Sequence, residues 1–594
     1  MHVVATAGHV DHGKSTLVRA LTGTDPDRLA EEHRRGLSIQ LGYAWTVLRE
    51  VGEVAFVDVP GHERFITTML SGIGAVPAVL LVVAADDPWM PQAAEHLAAL
   101  DALGVRHGVV AVTRSDLADP GATAGRAARE VAATSLRGAP VVPVSARTGQ
   151  GLPELRAQLA AVLRRVPSPA PDADVRLWVD RRFTVRGAGT VVTGTLPAGT
   201  VRAGDSVECA GRLLRVRAVQ TLGRSVTAAH GAARVAVNLA GDADDVAPGS
   251  VLLTPGAWTH TTAVDVRLVA SPIAGQGPPP QRPLLHVGAT AVEAHHRPLG
   301  GALARLVLSR PLPLRVGDRA ILRDPGNRRL WGVTVLDPAP PPLRRRGAAQ
   351  RRAGTLTSHD GTPDLAAELD RRGLVSLDLL RRLGVPTAGA EGVGVVTTGW
   401  ALSRRRAHAL AAQVQDLVAE HDRAAPLDPG LPVTAVAARL ALPVPELVRA
   451  VVRPPLAVSG GRVVSGGRPE VPAEVRRAAE VLDQELAGAP FRAPTADRLR
   501  ELGLPDRTLA AAARAGLVLR PAPGIVLGAG ADTTAAARLA ELPQPFTTSE
   551  ARQRLDTTRR VVLPLLEYLD RRGMTRRLPD DRRRVTGRGT AEAG

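Results

Sequence analysis

The segment Gly8-His-Val-Asp-His-Gly-Lys14-Ser15 follows an apolar stretch, His2 to Ala7, and precedes a helical pattern that starts near Ser15. A predicted strand, a glycine-rich loop and a helix in this order are the setting in which G-x-x-x-x-G-K-[ST] binds phosphates. Glycines let backbone N–H groups close around the phosphates, and the helix N-terminus adds positive potential. The segment therefore predicts a nucleotide-binding α/β domain.

Lys14 is the only lysine among the 75 basic residues of the chain. The replacement of lysine by arginine elsewhere indicates a compositional bias. A compact ammonium serves the β- and γ-phosphates at a site where a broad, planar guanidinium does not fit the loop. The survival of lysine at this position supports the phosphate loop. It also means that the role of an arginine elsewhere is inferred from its position in the chain, since its residue type reflects the bias.

A second motif, Asp58-Val-Pro-Gly61-His62, follows the predicted strand Val54 to Asp58. An Asp-x-x-Gly tetrapeptide is common on its own, but after a phosphate loop at this distance it indicates a nucleotide switch. The motif places Asp58 near Mg²⁺ and the N–H of Gly61 beside the γ-phosphate.

A third motif, Thr113-Arg-Ser-Asp116, ends another predicted strand, and Ser145-Ala146 follows the next one. The carboxylate of Asp116 can accept two N–H bonds from guanine, which adenine cannot supply. Taken alone, Asp116 could equally cap a surface helix. The order and spacing of all three motifs favour a guanine pocket completed by Ser145 and Ala146.

The remaining patterns predict a multidomain chain. Residues 1–168 alternate strands and helices, as in an α/β domain with a doubly wound parallel sheet. Residues 174–256 and 257–340 consist of short strands broken by glycine turns, which predict two β-barrels. Residues 345–594 contain a weak helical repeat at 54- to 60-residue spacing, which predicts about four tandem α+β winged-helix modules, the last at 543–588. Winged helices also serve as protein-interaction spacers, and this alternative stays open.

The charge is uneven along the chain. Residues 1–165 hold 16 basic and 17 acidic residues, whereas 341–594 hold 39 and 28. A basic excess outside the first domain suggests that the later domains meet a polyanion, with nucleic acid the best candidate. The alternative is a solvated surface in an arginine-rich chain.

The cysteine content, the apolar runs and the first residues of the chain bear on the cellular compartment of the protein. One cysteine, Cys209, excludes a disulfide framework and a cysteine-based zinc site. The longest apolar run, Ala75 to Ala85, is far shorter than the roughly 18 residues that span a bilayer. The start of the chain has no basic n-region or cleavage pattern. We expect a monomeric cytoplasmic protein without membrane contact.

Longer segments carry a family resemblance. Ala5 to Lys14, Arg34 to Tyr43 and Asp58 to Glu63 resemble the translational GTPases. Four further segments resemble, more narrowly, the selenocysteine-specific elongation factors, SelB: Val179 to Gly189, Val191 to Thr195, Asn238 to Ala243 and Leu566 to Arg577. The resemblance covers nearly the whole chain.

The resemblance implies a GTPase that uses GTP/GDP and Mg²⁺ and is stimulated by the ribosome. It implies delivery of selenocysteinyl-tRNA to ribosomes at UGA codons, with the C-terminal winged helices bound to an mRNA hairpin (SECIS). The implied phosphate-binding residues are Asp11, His12, Gly13, Lys14, Ser15 and Thr16. The implied Mg²⁺ ligands are Ser15 and Ser38, with Asp58 behind them. The implied guanine-binding residues are Thr113, Asp116, Ser145 and Ala146.

By the same resemblance, His62 is the catalytic residue that orients the attacking water, and Val10 and Leu37 form an apolar gate before the ribosome docks. Two positions depart from the family. Ser38 stands where threonine is usual and lacks the methyl group that packs the ordered switch. Arg114 stands where lysine is usual, and we expect it to lie over the purine while Asp116 keeps guanine selectivity.

Three residues of the second domain are implied to receive the aminoacyl group, namely Asp180, Arg181 and Arg234. A selenol is largely anionic at pH 7, so guanidinium groups separate it from neutral serine and cysteine side chains. The alternative is ordinary ion pairing on a barrel. The last module is implied to hold the RNA hairpin through Arg559, Arg576, Arg577, Arg582, Arg583 and Arg584, because RNA is read through its shape and phosphates.

Two other functions remain open from the sequence. One is a general aminoacyl-tRNA carrier of the elongation factor Tu or initiation-factor gamma-subunit kind, which lacks a helical tail. The other is a DNA-binding winged-helix regulator switched by its GTPase domain.

Overall fold

The computed structural model describes residues 1–26, 38–62, 65–74, 76–87, 89–185, 187, 189–270, 277–327, 329–425, 428, 430–466 and 471–586. The chain divides into two compact units, residues 1–392 and residues 393–594.

The first unit begins with a six-stranded sheet in the order β2-β3-β1-β4-β5-β6, in which only β2 runs antiparallel to its neighbour. Its strands are β1 (His2–Ala7), β2 (Gly42–Leu48), β3 (Gly52–Asp58), β4 (Ala78–Ala84), β5 (His107–Thr113) and β6 (Val141–Pro143). The helices described around it are α1 (Lys14–Thr22), α2 (Ile66–Ile73), α3 (Pro91–Leu103), α4 (Gly121–Ala132) and α5 (Leu152–Leu163).

The sheet is apolar on both faces because helices cover each side. Every residue of β4 is buried, and separate apolar clusters pack on the two faces of the sheet. Since β1, β3, β5 and β6 are parallel, their carboxyl ends meet at one edge. The loops that follow these four strands carry all three nucleotide motifs.

Two β domains follow. The first holds β7 (Arg176–Trp178), β8 (Arg181–Val185), β9 (Gly189–Leu196), β10 (Thr200–Arg202), β11 (Ser206–Cys209), β12 (Arg212–Thr221), β13 (Arg224–Val226), β14 (Ala228–His230), β15 (Ala233–Ala240) and β16 (Val251–Leu253). Its larger sheet runs β7-β16-β11-β12-β15-β9-β8, and β13 pairs with β12. Residues of β15 alternate between buried and half-buried, which is the pattern of a strand with one face on a core.

The second β domain is a closed barrel in the order β17-β20-β19-β18-β21-β22. Its strands are β17 (His260–Ala270), β18 (Leu284–Val287), β19 (Thr290–Gly300), β20 (Leu303–Pro313), β21 (Arg319–Arg323) and β22 (Leu330–Asp337). Helices α6 (Ala348–Leu356), α7 (Leu365–Arg372), α8 (Leu377–Arg382) and α9 (Ala390–Val393) and the short strand β23 (Leu374–Ser376) come next.

A buried ion-pair cluster joins this barrel to α6 and α7. Asp337, at the end of β22, accepts hydrogen bonds from Arg352 on α6 and from Arg371 and Arg372 on α7. Asp337 is fully buried and these arginines are nearly so. Burial opposes the ionisation of Asp337, but the guanidinium groups of Arg371, Arg372 and Arg352 outweigh it and hold the pKa of this carboxyl below its usual range.

Two further carboxylates complete the cluster. Asp265 on β17 accepts hydrogen bonds from Arg305 Nε at 2.7 Å and from Arg352 Nε at 2.6 Å. Glu368 on α7 is fully buried and accepts from Arg371 and Arg372. Segment 348–372 is therefore fixed to the barrel by charge as well as by apolar contact.

The second unit contains β24 (Gly394–Thr397) and β25 (Trp400–Ser403), followed by three helical modules. Module A has α10 (Arg404–Ala424), β26 (Leu431–Pro432), α11 (Val433–Arg439), α12 (Glu446–Val451), β27 (Leu456–Ser459) and β28 (Arg462–Ser465). Module B has α13 (Ala473–Leu486), α14 (Ala496–Glu501), α15 (Asp506–Arg514), β29 (Val518–Ala522) and β30 (Ile525–Gly528). Module C has α16 (Ala531–Ala540), α17 (Thr548–Arg554), α18 (Arg559–Arg571), β31 (Thr575–Arg577) and β32 (Arg583–Val585).

Each module places three helices before a two-stranded hairpin, which is the winged-helix arrangement. The predicted fold class, an α/β phosphate-loop domain, β-barrels and C-terminal winged helices, is confirmed. No helix in the described ranges is long and apolar enough to cross a membrane, and most of the apolar run that starts at Ala75 forms β4.

Candidate functional site

The phosphate loop has a backbone that favours glycine at two positions. Gly8 has φ of +137°, and a Cβ there would collide with the carbonyl oxygen of Val82. Gly13 adopts the left-handed conformation with φ of 78° at the start of α1. Lys14 is buried, and its Nζ donates to the carbonyl oxygen of His9 at 2.7 Å. The loop therefore curls around the lysine ammonium at the N-terminus of a helix, which suits a phosphate chain.

Gly61 lies directly against this loop. A Cβ on Gly61 would come within 2.5 Å of Lys14 Nζ and of the backbone nitrogen of Val10. The structure therefore brings the second motif into contact with the first. His62 follows it, with its ring centroid 6.1 Å from the ring of Phe65. Leu37, the other predicted gate residue, lies outside the described residues.

Three oxygen-bearing side chains converge beside α1. Ser15 Oγ lies 3.1 Å from Ser38 Oγ and donates to Asp58 Oδ2 at 2.6 Å. Asp58 Oδ1 accepts a hydrogen bond from Thr6 Oγ1 at 2.5 Å, and Thr6 Oγ1 in turn accepts from the N–H of Val59. Hydroxyl and carboxylate oxygens fit a hard cation such as Mg²⁺. Sequence reasoning missed Thr6, because a threonine inside a strand has no motif of its own.

The base motif is tied to the phosphate loop. Thr113 is buried, and its Oγ1 donates to the carbonyl oxygen of His12 at 2.7 Å. Ser145 is also buried and its hydrogen bond to Asp116 lowers the pKa of that carboxyl. Ala146 packs against the apolar cluster under α5. The four predicted guanine-binding residues thus lie at neighbouring strand ends, with Asp116 ionised at neutral pH.

Contacts of Arg114 and His12 connect the phosphate loop to the residues that follow β4. Arg114 pairs with Asp86 at 3.0 Å and also donates to the carbonyl oxygen of Asp11. The ring of His12 is buried, with Nε2 3.1 Å from Asp87 Oδ2. Thr16 follows Ser15 in the first turn of α1. That Arg114 also covers the purine stays a prediction.

His96 is a second residue of this site that sequence reasoning missed. It lies on α3, and its Nδ1 accepts the N–H of Gly8 at 2.9 Å. Complete burial lowers the pKa of His96 to about 3, and the Lys14 charge adds to this, so the ring is neutral at physiological pH. A lone histidine in an apolar helix carries no sequence signal for such a role.

We expect the substitution His96→Ala to raise the Kd for GDP about tenfold. The change leaves the buried N–H of Gly8 without an acceptor, which costs roughly 1–3 kcal/mol. Fluorescence titration with a labelled GDP measures the effect. The substitution His96→Asn supplies a carbonyl oxygen and should recover most of the affinity. Equal affinity of His96→Ala and the wild type would contradict the role of His96.

A second site lies between the nucleotide domain and the first β domain. Arg234 on β15 forms a two-bond pair with Asp180, and its Nη2 also donates to Thr193 Oγ1 at 2.9 Å. The side chains of Arg234 and Asp180 are only 11% and 5% exposed. Burial alone would lower the pKa of Arg234, but the Asp180 carboxylate reverses this and raises it. The pair is therefore a fixed, charged element of the site.

Arg181 and the nucleotide domain complete this site. Arg181 Nη2 donates to the carbonyl oxygen of Leu41 at 2.6 Å. The ring of Tyr43, on β2, lies 5.0 Å from the guanidinium carbon of Arg181 and 3.9 Å from that of Arg234. A cavity of about 340 Å³ opens beside these residues and is also lined by Phe183. The structure thus brings all three predicted aminoacyl-site residues together, and it adds Tyr43 and Thr193.

The predicted RNA-binding arginines lie on module C. Arg576 stands opposite Arg584 across the β31–β32 hairpin, and both are exposed. Arg559 is the exposed first residue of α18. Arg577 pairs with Asp581, and Arg582 pairs with Asp580. Arg583 differs from the others, because it is buried and pairs with Asp570 at 2.9 Å.

Comparisons with known proteins match three parts of the chain to families. Residues 1–167 match the family described as "Elongation factor Tu GTP binding domain". Residues 281–342 match "Selenocysteine-specific elongation factor, beta-barrel domain". Residues 537–584 match "Elongation factor SelB, winged helix".

Comparisons with individual proteins agree with these matches. The chain is 37% identical to the selenocysteine-specific elongation factor of Desulfomicrobium baculatum over 395 residues, which cover 62% of this chain and 60% of that relative. It is 31% identical to the translation initiation factor 2 gamma subunit of Thermococcus kodakarensis, over 55% of this chain and 94% of that protein. A crystal structure of a bacterial selenocysteine-specific elongation factor superposes with a TM-score of 0.74 at 26% identity, covering 99% of this chain and 100% of that one.

A guanine-nucleotide domain with this strand order, followed by two β domains, defines a translational GTPase of the elongation factor Tu type. The helical modules and the arginine-lined second site distinguish this chain from translational GTPases that consist of these three domains alone. The chain belongs to the selenocysteine-specific elongation factor family, SelB.

Proposed function

We propose that the protein is a GTP-hydrolysing elongation factor that carries selenocysteinyl-tRNA to ribosomes at UGA codons while its C-terminal modules hold an mRNA hairpin. The observation that carries this proposal is the arginine-lined cavity between the nucleotide domain and the first β domain. Its cations suit an anionic selenolate, and its walls come from both a nucleotide-responsive domain and a barrel.

In this proposal Lys14 and the N–H groups around Gly13 hold the phosphates. Ser15 and Ser38 hold Mg²⁺ through their hydroxyls, with Asp58 fixing Ser15 from behind. The cation would neutralise phosphate charge. Asp116 and Ser145 read guanine. His62 orients the attacking water when the ribosome docks.

The nucleotide site reaches the aminoacyl site through a short segment of chain. Ser38 stands three residues before Leu41, whose carbonyl oxygen binds Arg181. Tyr43 follows at the start of β2 and packs on Arg181 and Arg234. A change in the position of Ser38, which would hold Mg²⁺ in the GTP state, would therefore reach two walls of the cavity and would link GTP binding to tRNA affinity.

The β31–β32 hairpin supports the RNA role of module C. Like charges directly opposite each other on a hairpin are destabilising, and Arg576 faces Arg584 in this way. A bound phosphate backbone offsets that repulsion. We assign RNA contact to Arg559, Arg576, Arg577, Arg582 and Arg584. Buried Arg583 instead fixes the hairpin to Asp570.

The test is competition between selenocysteinyl-tRNA and seryl-tRNA for the GTP-bound protein. We expect the wild type to prefer selenocysteinyl-tRNA strongly. Arg181→Met removes the charge, keeps an apolar stem over Tyr43, and should reduce that preference about tenfold or more, since a charged hydrogen bond contributes about 1.5–3 kcal/mol.

Arg224→Met is the matched control, because Arg224 also crosses between the two domains, with its guanidinium carbon 4.8 Å from the Trp45 ring. This variant should leave the tRNA preference and GTP affinity unchanged. Equal affinity of the wild type for both tRNAs would indicate a general aminoacyl-tRNA carrier. Preference for duplex DNA over an RNA hairpin in gel shifts would indicate a DNA-binding regulator.

A further inference from the structure

Modules B and C of the second unit share one apolar core. Phe491, Ile525 and Leu527 of module B cluster with Val562, Leu565 and other buried residues of module C. Thr557 Oγ1 of module C also donates to the carbonyl oxygen of Phe491 at 2.5 Å. Because buried apolar side chains of both modules interlock, a groove between them has fixed walls.

Such a groove runs between the β29–β30 hairpin and α18. At the start of the helix, Arg560 Nη2 donates to the carbonyl oxygen of Gly524 at 3.1 Å. At its end, Arg571 Nη2 donates to the carbonyl oxygen of Pro521 at 3.2 Å. A cavity of about 550 Å³ opens at this second end, and we call it the interhelical-wing cleft.

The chemistry of the cleft is cationic and aromatic. Arg520, Arg571 and Arg572 line it together with Tyr568. The guanidinium carbon of Arg572 lies 5.8 Å from the centroid of the Tyr568 ring. Among the described residues no carboxylate lines the cleft. Three cations without a lining anion are arranged for an anionic ligand.

The strand β29 is irregular where it forms the wall. Its pairing with β30 shifts register between Leu519 and Ala522, so the ladder is interrupted at Arg520 and Pro521. A bulge of this kind redirects a side chain. Arg520 is held by Asp506, with Nη2 2.6 Å from Oδ1, and is 19% exposed. One cleft cation is therefore fixed before any ligand arrives.

We propose that the interhelical-wing cleft binds the phosphodiester backbone of a single-stranded RNA segment. A volume of about 550 Å³ is that of a small-ligand site and admits one nucleotide rather than a duplex. A guanidinium-lined groove with an aromatic ring is the arrangement by which proteins hold single strands. The proposal rests on the proposed function, since it gives RNA held by the β31–β32 hairpin a second contact on two modules that share one apolar core.

The test measures binding of the full-length protein to two labelled RNAs by fluorescence anisotropy over a range of salt concentrations. One is a short oligouridine and the other is an RNA hairpin, made with and without a single-stranded flank. The variants are Arg571→Gln with Arg572→Gln, and Arg572→Gln alone. Arg476→Gln, on the exposed face of α13, removes the same charge outside the cleft.

We expect the double variant to bind oligouridine about tenfold more weakly than the wild type at low salt. The slope of log affinity against log salt should fall by about 0.7 for each lost phosphate contact. Arg476→Gln should match the wild type. Arg572 forms no ion pair with any described residue, so the single variant should keep the wild-type melting temperature. Its change in the salt slope should be about half of the change seen in the double variant.

The two RNAs separate the possible sources of the backbone. If only the flanked hairpin is weakened, the cleft holds the strand beside the hairpin; if oligouridine alone is weakened, it holds another RNA. If the cleft variants bind oligouridine and the flanked hairpin as Arg476→Gln does, the cleft proposal is wrong. If the wild type binds no hairpin while the cleft variants still weaken oligouridine, the proposed function fails and the cleft stands.

Discussion

Replacing Lys14 with arginine will lower the affinity for GDP and GTP by roughly a hundredfold, although the chain uses arginine at 74 other positions. Lys14 Nζ sits inside the loop, 2.7 Å from the carbonyl oxygen of His9 and against the backbone of Gly61. A planar guanidinium needs space that this backbone occupies. Loss of the charged contacts to two phosphates costs about 3 kcal/mol, which is equivalent to that factor.

Titration with a labelled GDP measures this effect. Lys14→Ala, which creates no clash, should lose at least as much affinity, because the charge itself is removed. The chain has no second lysine that could be exchanged for arginine. The control is therefore the reverse exchange, Arg19→Lys, on the exposed face of α1. A Kd for Lys14→Arg within threefold of the wild type would refute the argument from shape.

Replacing Asp337 with asparagine will destabilise the first unit by about 3–5 kcal/mol at pH 7. The substitution keeps the size of the side chain but leaves Arg352, Arg371 and Arg372 nearly buried without their shared carboxylate. Breaking a buried ion pair from one side costs about this much, because the remaining charges are not resolvated. Urea unfolding followed by tryptophan fluorescence measures it, and Trp331 lies in the same strand.

The control is Asp378→Asn on α8. Asp378 also pairs with two arginines, Arg381 and Arg382, but is 51% exposed. Exposed pairs of this kind contribute about 1 kcal/mol or less. Equal destabilisation by the two substitutions would contradict the argument that burial gives Asp337 its effect.

The cluster also predicts how stability depends on pH. Burial acts to raise the pKa of Glu368, but the hydrogen bond from His359 and the ion pair with Arg371 outweigh this and lower the pKa to about 2. A folded-state pKa below the unfolded value of about 4.3 stabilises the native state at higher pH. This stabilisation is complete near neutral pH and is lost as the pH falls from about 4 towards 2. The difference between wild type and Asp337→Asn should also shrink as the pH falls below the usual pKa of an aspartate, since the pKa of Asp337 is lowered too.

Local patterns were sufficient for much of the fold and for the nucleotide motifs. The phosphate loop, Asp58 to His62 and Thr113 to Asp116 each occupy consecutive residues after a strand, and parallel strands bring such loops to one edge. The winged-helix pattern was equally visible, because helix periodicity and turn residues are local properties. His96 and Thr6 were not visible, since each acts through a partner more than 50 residues away.

The sequence by itself determined that this chain binds guanine nucleotides and ends in basic winged helices, because those properties depend on residue type and spacing along the chain. Only the tertiary structure distinguished the arginines that line a cavity or an exposed hairpin from those that are buried in ion pairs of the fold. It placed Arg181 and Arg234 around Tyr43 of another domain, buried Arg583 against Asp570, and confined Arg352 and Arg371 to a buried ion cluster. In a chain where arginine has replaced lysine almost everywhere, the presence of an arginine says little about its role, and burial and charged partners distinguish one guanidinium from the next.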